Sequence, residues 1–329
     1  MGLLVSVFLG FSASLLFAYF LYWLDRYEKE PKLLLGGVFL WGVVVAAGSA
    51  FIINTTFSIG IFSLTGSESA AEFTSASIIA PIVEETLKGL AVLIVFLVFR
   101  REFDSVLDGM IYAGVAALGF AATENSYYIF NYGYQESGWS GMMILAFIRI
   151  ILVGWQHPFY TAFFGIGLAL ARLNRNWAVK ILAPLLGLAL AMFTHAVHNT
   201  LAGLMGGLSG LAFSTFLDWT GWLFMGGVAI WAIVHEQSYL RKHLLEEVQA
   251  GRIQTRQYQA ACSGWRQTWA RLEALFSGRY RVTSRFFQVC GELAHKKQQL
   301  AKLGDESGNA AIIQNLRAEL ARLAPLVKA

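Results

Sequence analysis

The sequence predicts an all-α protein: a polytopic membrane helix bundle of about seven transmembrane helices, N-terminus outside, with a helical cytoplasmic C-terminal tail. Three observations carry this reading. Of the 329 residues, 56% are hydrophobic and only 14% charged, whereas soluble domains are typically about 25% charged. Apolar runs of about 20 residues, long enough to cross the hydrocarbon core as helices, recur along the first two thirds of the chain. The basic residues between those runs alternate from one connection to the next.

The spans read as 3–23, 34–54, 78–99, 107–130, 146–172, 179–206 and 211–235, which divides the chain into a membrane domain, 1–235, and a tail, 236–329. The first run lacks a basic leading segment and a clear small-residue cleavage site, so it reads as a retained span rather than a signal peptide. The connection 24–33 holds Arg26, Lys29 and Lys32; the third holds Arg100 and Arg101; the fifth holds Arg175, flanked by Arg172 and Lys180. The connections 55–77, 131–145 and 207–210 contain no Lys or Arg. The positive-inside rule therefore sets the N-terminus outside and the tail in the cytoplasm. Arg149, at the outer end of the fifth span, runs against the pattern; it either snorkels to the outer interface or reaches inward. Residues 1–235 carry 10 basic and 13 acidic side chains, and the tail 15 and 8, so the net +4 belongs to the tail. The two cysteines, Cys262 and Cys290, both lie in the tail, which gives no disulfide framework.

Several spans contain side chains that hydrocarbon disfavours. Glu84, Glu85 and Lys88 lie in the third, Glu124 and Asn125 in the fourth, His157 in the fifth, and His195, His198 and Asn199 in the sixth. A charged residue at mid-membrane costs roughly 2.5–3.5 kcal/mol on insertion scales, and intramembrane ionisable residues are functional by default. Counted from the basic or acidic anchor of each helix, Glu85, Glu124, His157 and His195 fall 15 or 16 residues in. At the α-helical rise each lies about 22–24 Å above the cytoplasmic boundary of a core about 30 Å thick. Four polar positions on four helices thus share one level toward the outer face. Pro81 and Pro158 stand beside two of them, as expected where a wet cavity re-satisfies freed backbone groups.

The residue types define the chemistry such a cavity supports. Lys88 is four residues from Glu84 and three from Glu85, so it can neutralise one carboxylate along the helix and leave the other as a working base. Glu124 can share the cavity. His195 and Asn199, four apart on one helix face, can polarise a carbonyl or stabilise an oxyanion; His198 can line the same wall. Glu85, Glu124, His157 and His195 also supply ligand types suited to zinc. The helical HExxH signature is missing, so a metal would be held across helices.

In their order and spacing these strings resemble the PrsW family of intramembrane proteases, in the superfamily of CAAX prenyl endoproteases and Abi-type proteins. The matching strings are DRYEKEP (Asp25 to Pro31), EExxK at Glu84, Glu85 and Lys88, and FxxxE at Phe120 and Glu124. HPFYTAFFG at His157 and HxxxN at His195 and Asn199 complete the set. The resemblance implies regulated proteolysis of a membrane-anchored protein substrate, such as an anti-sigma factor, near the extracytoplasmic side of the plasma (inner cell) membrane. It implies Glu84 and Glu85 as the water-activating base, Glu124 and His157 as completing the site, and His195 and Asn199 as oxyanion support. The superfamily has been described as both metal-dependent and glutamate-type. The Lys one position nearer than the relatives' Arg, and Glu124 in place of their FxxxH histidine, argue against prenyl-substrate specificity.

Two other classes fit the composition: a proton- or cation-coupled transporter, and a non-catalytic membrane scaffold acting through its tail. The spans show no internal repeat, and their polar residues occupy one level rather than a ladder. The basic tail can lie against anionic lipid, and a segment near 288–324 reads as an amphipathic or coiled-coil self-association element. No nucleic-acid motif is present.

Overall fold

The apolar runs form helices, and a computed structural model describes residues 1–305 and 308–328 with no strand among them. The chain divides into two compact units. The first comprises Met1–Trp23, Pro31–Arg172 and Asn176–Ala229; the second comprises Leu24–Glu30, Leu173–Arg175 and the chain from Ile230 onward.

In the first unit, α1 (Gly2–Leu24) buries only Gly2, Ser6, Gly10 and Ser14, one small residue every fourth position. That spacing makes a single flat stripe, the surface that lets membrane helices approach closely, while the large apolar side chains face outward. The helix α2 (Lys32–Leu40) runs through a π-helical turn, Trp41–Ala46, into α3 (Ala47–Thr65). Gly66, at φ +63°, ends α3, and Ser67 caps the short α4 (Glu68–Thr74). A second π-helical turn, Ser75–Ile79, leads into α5 (Ala80–Val98). The Ser105–Asp108 capping box starts α6 (Val106–Tyr128), which is buried without interruption from Leu107 to Ala122 and forms the axis of the unit.

After a π-helical stretch, Ile129–Tyr134, the chain turns at Ser137 and at Gly138 (φ +63°) within α7 (Gln135–Ala146). A further π-helical turn, Phe147–Leu152, and a tight turn follow, and then α8 (Gln156–Arg172), which carries Pro158 in its first turn. Proline is tolerated there because a first-turn N–H has no intrahelical acceptor. Then come α9 (Trp177–Met205) and α10 (Gly207–Gln249).

The helices cover most of the sequence-derived spans and extend past several of them, but the fifth, 146–172, is broken by a turn at 153–155. The connection 55–77 is helical apart from a break at Gly66 and Ser67, and α10 continues 14 residues beyond 235. The extension of α10 is a polar continuation of an apolar helix, which hydropathy alone truncates, whereas that of α3 to Thr65 stays apolar, with Phe57, Ile59, Ile61, Phe62 and Leu64. Among the described residues, five helical stretches are long and apolar enough to cross a membrane; one of them, Val106–Arg172, encloses two of the seven spans. The third span falls outside that group because Glu84, Glu85 and Lys88 lie within it.

Helices α6 and α8 touch backbone to backbone. A Cβ built on Gly165 would fall on the Gly109 carbonyl oxygen, and one on Gly109 would fall on that of Gly165. At the other end of α6, Gly119 meets the Phe39 carbonyl in the same way.

In the second unit, α11 (Thr255–Ala261), α12 (Gly264–Phe276), α13 (Tyr280–Leu303) and α14 (Asn309–Leu323) pack with the end of α10. Leu240, Leu244, Phe286, Phe287, Leu293 and Leu320 are among its fully buried core residues. The apolar residues of 288–324 are thus used within the chain, where α13 and α14 pack against each other after the turn at Gly304 (φ +85°). The Asp25–Pro31 stretch is pinned to α13. The Lys29 N–H donates to Gln288 Oε1 (2.8 Å), Gln288 Nε2 donates to the Lys29 carbonyl (3.2 Å), and Asp25 Oδ2 accepts from the Glu30 N–H (2.8 Å). Burial pushes the Asp25 carboxyl up to about 7. Glu247, with no exposed side-chain surface, is ringed by Lys297, Arg252 Nη1 (2.7 Å) and Arg317 Nε (3.0 Å).

Two stability outcomes follow from this packing. Gly165→Val forces α6 and α8 apart and lowers unfolding stability by roughly 1–3 kcal/mol, the range for overpacked sites; thermal unfolding in detergent measures it. Glu247→Gln leaves Lys297 and Arg317 with only the exposed carboxylate of Glu246 as counter-charge, at about 3 kcal/mol. Limited proteolysis of the full chain reads that loss as faster cutting after Ile230.

Candidate active site

The polar residues of α5, α6, α8 and α9 meet in one buried cluster. Its centre is Glu85, which has no exposed surface. Glu85 Oε1 accepts from Lys88 Nζ (2.6 Å) and from His195 Nδ1 (2.9 Å), and Oε2 accepts from Thr161 Oγ1 (2.8 Å). One carboxylate therefore joins α5, α8 and α9, and both its oxygens are occupied. Lys88, equally buried, also donates to His157 Nδ1 (3.1 Å) and lies 4.5 Å over the Phe120 ring. An ammonium can only donate, so His157 Nδ1 accepts and Nε2 carries the ring proton, which it gives to Glu124 Oε2 (2.9 Å). Glu124 is held from its other side by Arg149, whose Nε donates to Asn125 Oδ1 (2.7 Å). Arg149 thus turns inward and stacks on Tyr128, 4.2 Å from its ring centre.

Glu84 differs from its neighbour. Its Oε1 accepts from Asn54 Nδ2 on α3 (3.3 Å), but Oε2 is buried with no hydrogen-bond partner. Lys88 Nζ stands 3.9 Å from that oxygen and His195 Nε2 4.0 Å, both beyond hydrogen-bond reach. Because His195 donates through Nδ1 to Glu85, its Nε2 lone pair faces the same space. Glu84, His157 and His195 each offer one donor atom, all within 4.8 Å of one another. An orphaned carboxylate oxygen beside an unengaged imidazole nitrogen fits a divalent metal such as zinc. The sequence set of possible ligands held Glu85 and Glu124, not Glu84, beside His157 and His195; in the structure Glu85 is committed to Lys88, Thr161 and His195, and Glu124 to Arg149 and His157. Ligation by His157 would require it to release Lys88 or Glu124.

The remaining sequence candidates lie at the margin. Asn199 Nδ2 donates to the Ala76 carbonyl (2.8 Å), inside the π-helical turn before α5. His198 Nδ1 lies 3.0 Å from Asp218 Oδ2 on α10. Asp218, absent from the sequence-derived set, is fully buried and accepts from the Tyr160 hydroxyl (2.6 Å). The Tyr160 ring in turn stacks on His195, centroids 4.9 Å apart and planes 18° apart. A lone carboxylate in the apolar run 211–235 is itself the signal that could have found Asp218. Thr161 and Tyr160 carry no comparable signal.

A family model described as PrsW family intramembrane metalloprotease matches residues 30–233, which contain the whole cluster from Asn54 to Asp218. Among relatives, a protein called Protease PrsW from Clostridioides difficile (strain 630) is 36% identical over 108 residues, 32% of this chain and 43% of its own length. Its counterpart of the same name in Geobacillus kaustophilus (strain HTA426) is 34% identical over 122 residues, 37% and 50% of the two chains. The Bacillus subtilis (strain 168) Protease PrsW is 28% identical over 212 residues, 63% and 87%. The chain therefore spans about half the length of the first two of these relatives. No solved structure matches it. With well over half of the chain matched, from the end of the Asp25–Pro31 stretch through the last helix that touches the cluster, the chain belongs to the PrsW family.

Proposed function

We propose that this chain is an intramembrane endopeptidase of the multi-pass plasma (inner cell) membrane, hydrolysing a peptide bond of a membrane-anchored protein. The observation that carries the reading is the asymmetry of the adjacent glutamates: Glu85 is saturated and Glu84 Oε2 is not. Glu84 is the general base. It takes a proton from water as the oxygen attacks the substrate carbonyl, and returns it to the leaving amine nitrogen as the C–N bond breaks. Glu85 fixes Lys88 and His195 around that oxygen, and Arg149 with Glu124 fixes His157. Asn199 reaches an oxyanion by releasing the Ala76 carbonyl, which makes oxyanion support a substrate-bound property. In the metal-dependent form Glu84, His195 and His157 would instead hold the ion, which when bound would supply Lewis acidity toward water or carbonyl.

The alternation of basic connections supports an N-terminus outside and a cytoplasmic tail, with the cluster nearer the outer face. A single-span anti-sigma factor cut on its extracytoplasmic side is the substrate class this orientation suits.

The decisive assay places purified protein and single-span substrates in proteoliposomes, with and without a chelator. Glu84→Gln lowers the cleavage rate by about 10²–10⁴-fold, the usual contribution of a positioned general base, with insertion and thermal stability retained. Near-normal cleavage by this variant would remove Glu84 from the mechanism. Loss of cleavage on chelation, restored by zinc, marks the metal-dependent form; indifference to the chelator marks the glutamate form. Fused after Lys328, green fluorescent protein should fluoresce and alkaline phosphatase should be inactive; the opposite pair of results reverses the orientation.

A further inference from the structure

Helix α12 (Gly264–Phe276) is built inside out relative to an ordinary surface helix. Toward its own unit it turns Gln267, Ala270 and Ala274, all buried. Away from it, at spacings of four, three and four, stand Trp265, Trp269, Leu272 and Phe276, which are 68%, 51%, 42% and 89% exposed. That spacing is one face of an α-helix. The Trp265 and Trp269 rings meet edge to face, 5.7 Å apart, and Tyr280, just past the turn at Gly278 (φ +69°), continues the exposed aromatic surface. The core of the unit is complete without these side chains. A contiguous apolar stripe of this size on a polar unit marks an interaction surface.

We propose that α12 lies in the headgroup region of an anionic bilayer, anchoring the tail unit to the membrane that holds the rest of the chain. Three features favour lipid over a protein partner. Tryptophan and tyrosine with a leucine and a phenylalanine make up an interfacial face, amphipathic rings at headgroup level and aliphatic groups below. Exposed Arg266 and Arg281 and half-buried Arg279 flank the stripe, against a single acidic residue on α12, Glu273. The whole tail is net positive, with 15 basic and 8 acidic residues, as anionic lipid attracts. Finally, α10 is continuous from its apolar first half into the tail unit, so the stripe is tethered to a bilayer and binds it at high effective concentration. This surface is independent of the proteolytic site.

The test uses the full chain, one molecule per nanodisc. A cysteine at Leu272, within the stripe, and one at Gln314, exposed on α14, carry an environment-sensitive fluorophore; the native Cys262 and Cys290 are buried. In discs containing phosphatidylglycerol, the probe at 272 should shift to the blue and be quenched by lipids with a shallow nitroxide, while the probe at 314 stays in water. Arg266→Gln, Arg279→Gln and Arg281→Gln should each weaken partitioning about fivefold, as should higher salt. A probe at 272 that remains in water in anionic discs overturns the proposal. So does a blue shift seen only when two copies share a disc, which would make the occupant a second chain.

Discussion

Glu85 is the constraint on which the membrane unit turns. A carboxylate with no solvent contact is tolerated only where its charge and lone pairs are all met, and here the partners come from three helices: Lys88 on its own, Thr161 on α8 and His195 on α9. Meeting that demand fixes the rotation of α8 and α9 about their axes, because each must aim one polar side chain at the same pair of oxygens. Lys88 then has hydrogens to spare, and its donation to His157 Nδ1 fixes the tautomer of that ring and so the direction of the proton toward Glu124. Arg149 closes the chain of contacts from the far side. The order of charges, carboxylate, ammonium, imidazole, carboxylate, guanidinium, alternates so that no like pair is adjacent without an intervening partner, Glu84 excepted.

The backbone makes a corresponding adjustment. Four π-helical turns interrupt the helices near this cluster, at Trp41–Ala46, Ser75–Ile79, Ile129–Tyr134 and Phe147–Leu152. A π-turn widens the helix and loosens carbonyls from their usual donors, which hydrocarbon does not forgive unless another group donates. Side chains of other helices do so here. Thr123 donates to the Val43 carbonyl (2.9 Å), Asn199 to that of Ala76 (2.8 Å) and Trp219 to that of Leu152 (2.8 Å). Irregular backbone and polar cluster thus occur together: one π-turn precedes Glu84 and another contains Arg149, and carbonyls in three of the turns bind side chains of the surrounding helices.

Much of this was legible in the sequence, because lipid leaves little freedom. Spans follow from hydrophobic length, and the shared level of Glu85, Glu124, His157 and His195 follows from helical rise counted from charged anchors; in the structure these four side chains belong to one connected cluster. Division of labour between Glu84 and Glu85 was also open to reasoning, since Lys88 can reach either along the helix. Which one it chooses was not, because 3 and 4 residue separations are equivalent until α8 and α9 supply the second and third partners of Glu85. Asp218, Tyr160 and Thr161 escaped for a related reason: a hydroxyl or a single carboxylate acquires meaning only from what faces it. The short α4 and the polar end of α10 were read as connections because hydropathy registers where lipid ends and not where helix ends.

The tail obeys different physics. Its core is closed by large aromatic and aliphatic side chains from α10, α13 and α14, and its buried acid, Glu247, is neutralised by three basic groups, so it needs no lipid to satisfy its interior. Yet its most exposed helix is apolar on the outside. In a freely soluble domain such a face would be selected against as an aggregation hazard; in a unit that cannot leave a bilayer, it is a contact always within reach. The same tether explains the Asp25–Pro31 stretch, which follows the first apolar helix and is hydrogen-bonded to α13 at Gln288. The chain passes between the two units through residues 24–30, residues 173–175 and α10, so the tail unit is tethered at three places, and the proposed seating of α12 in lipid would add a further hold.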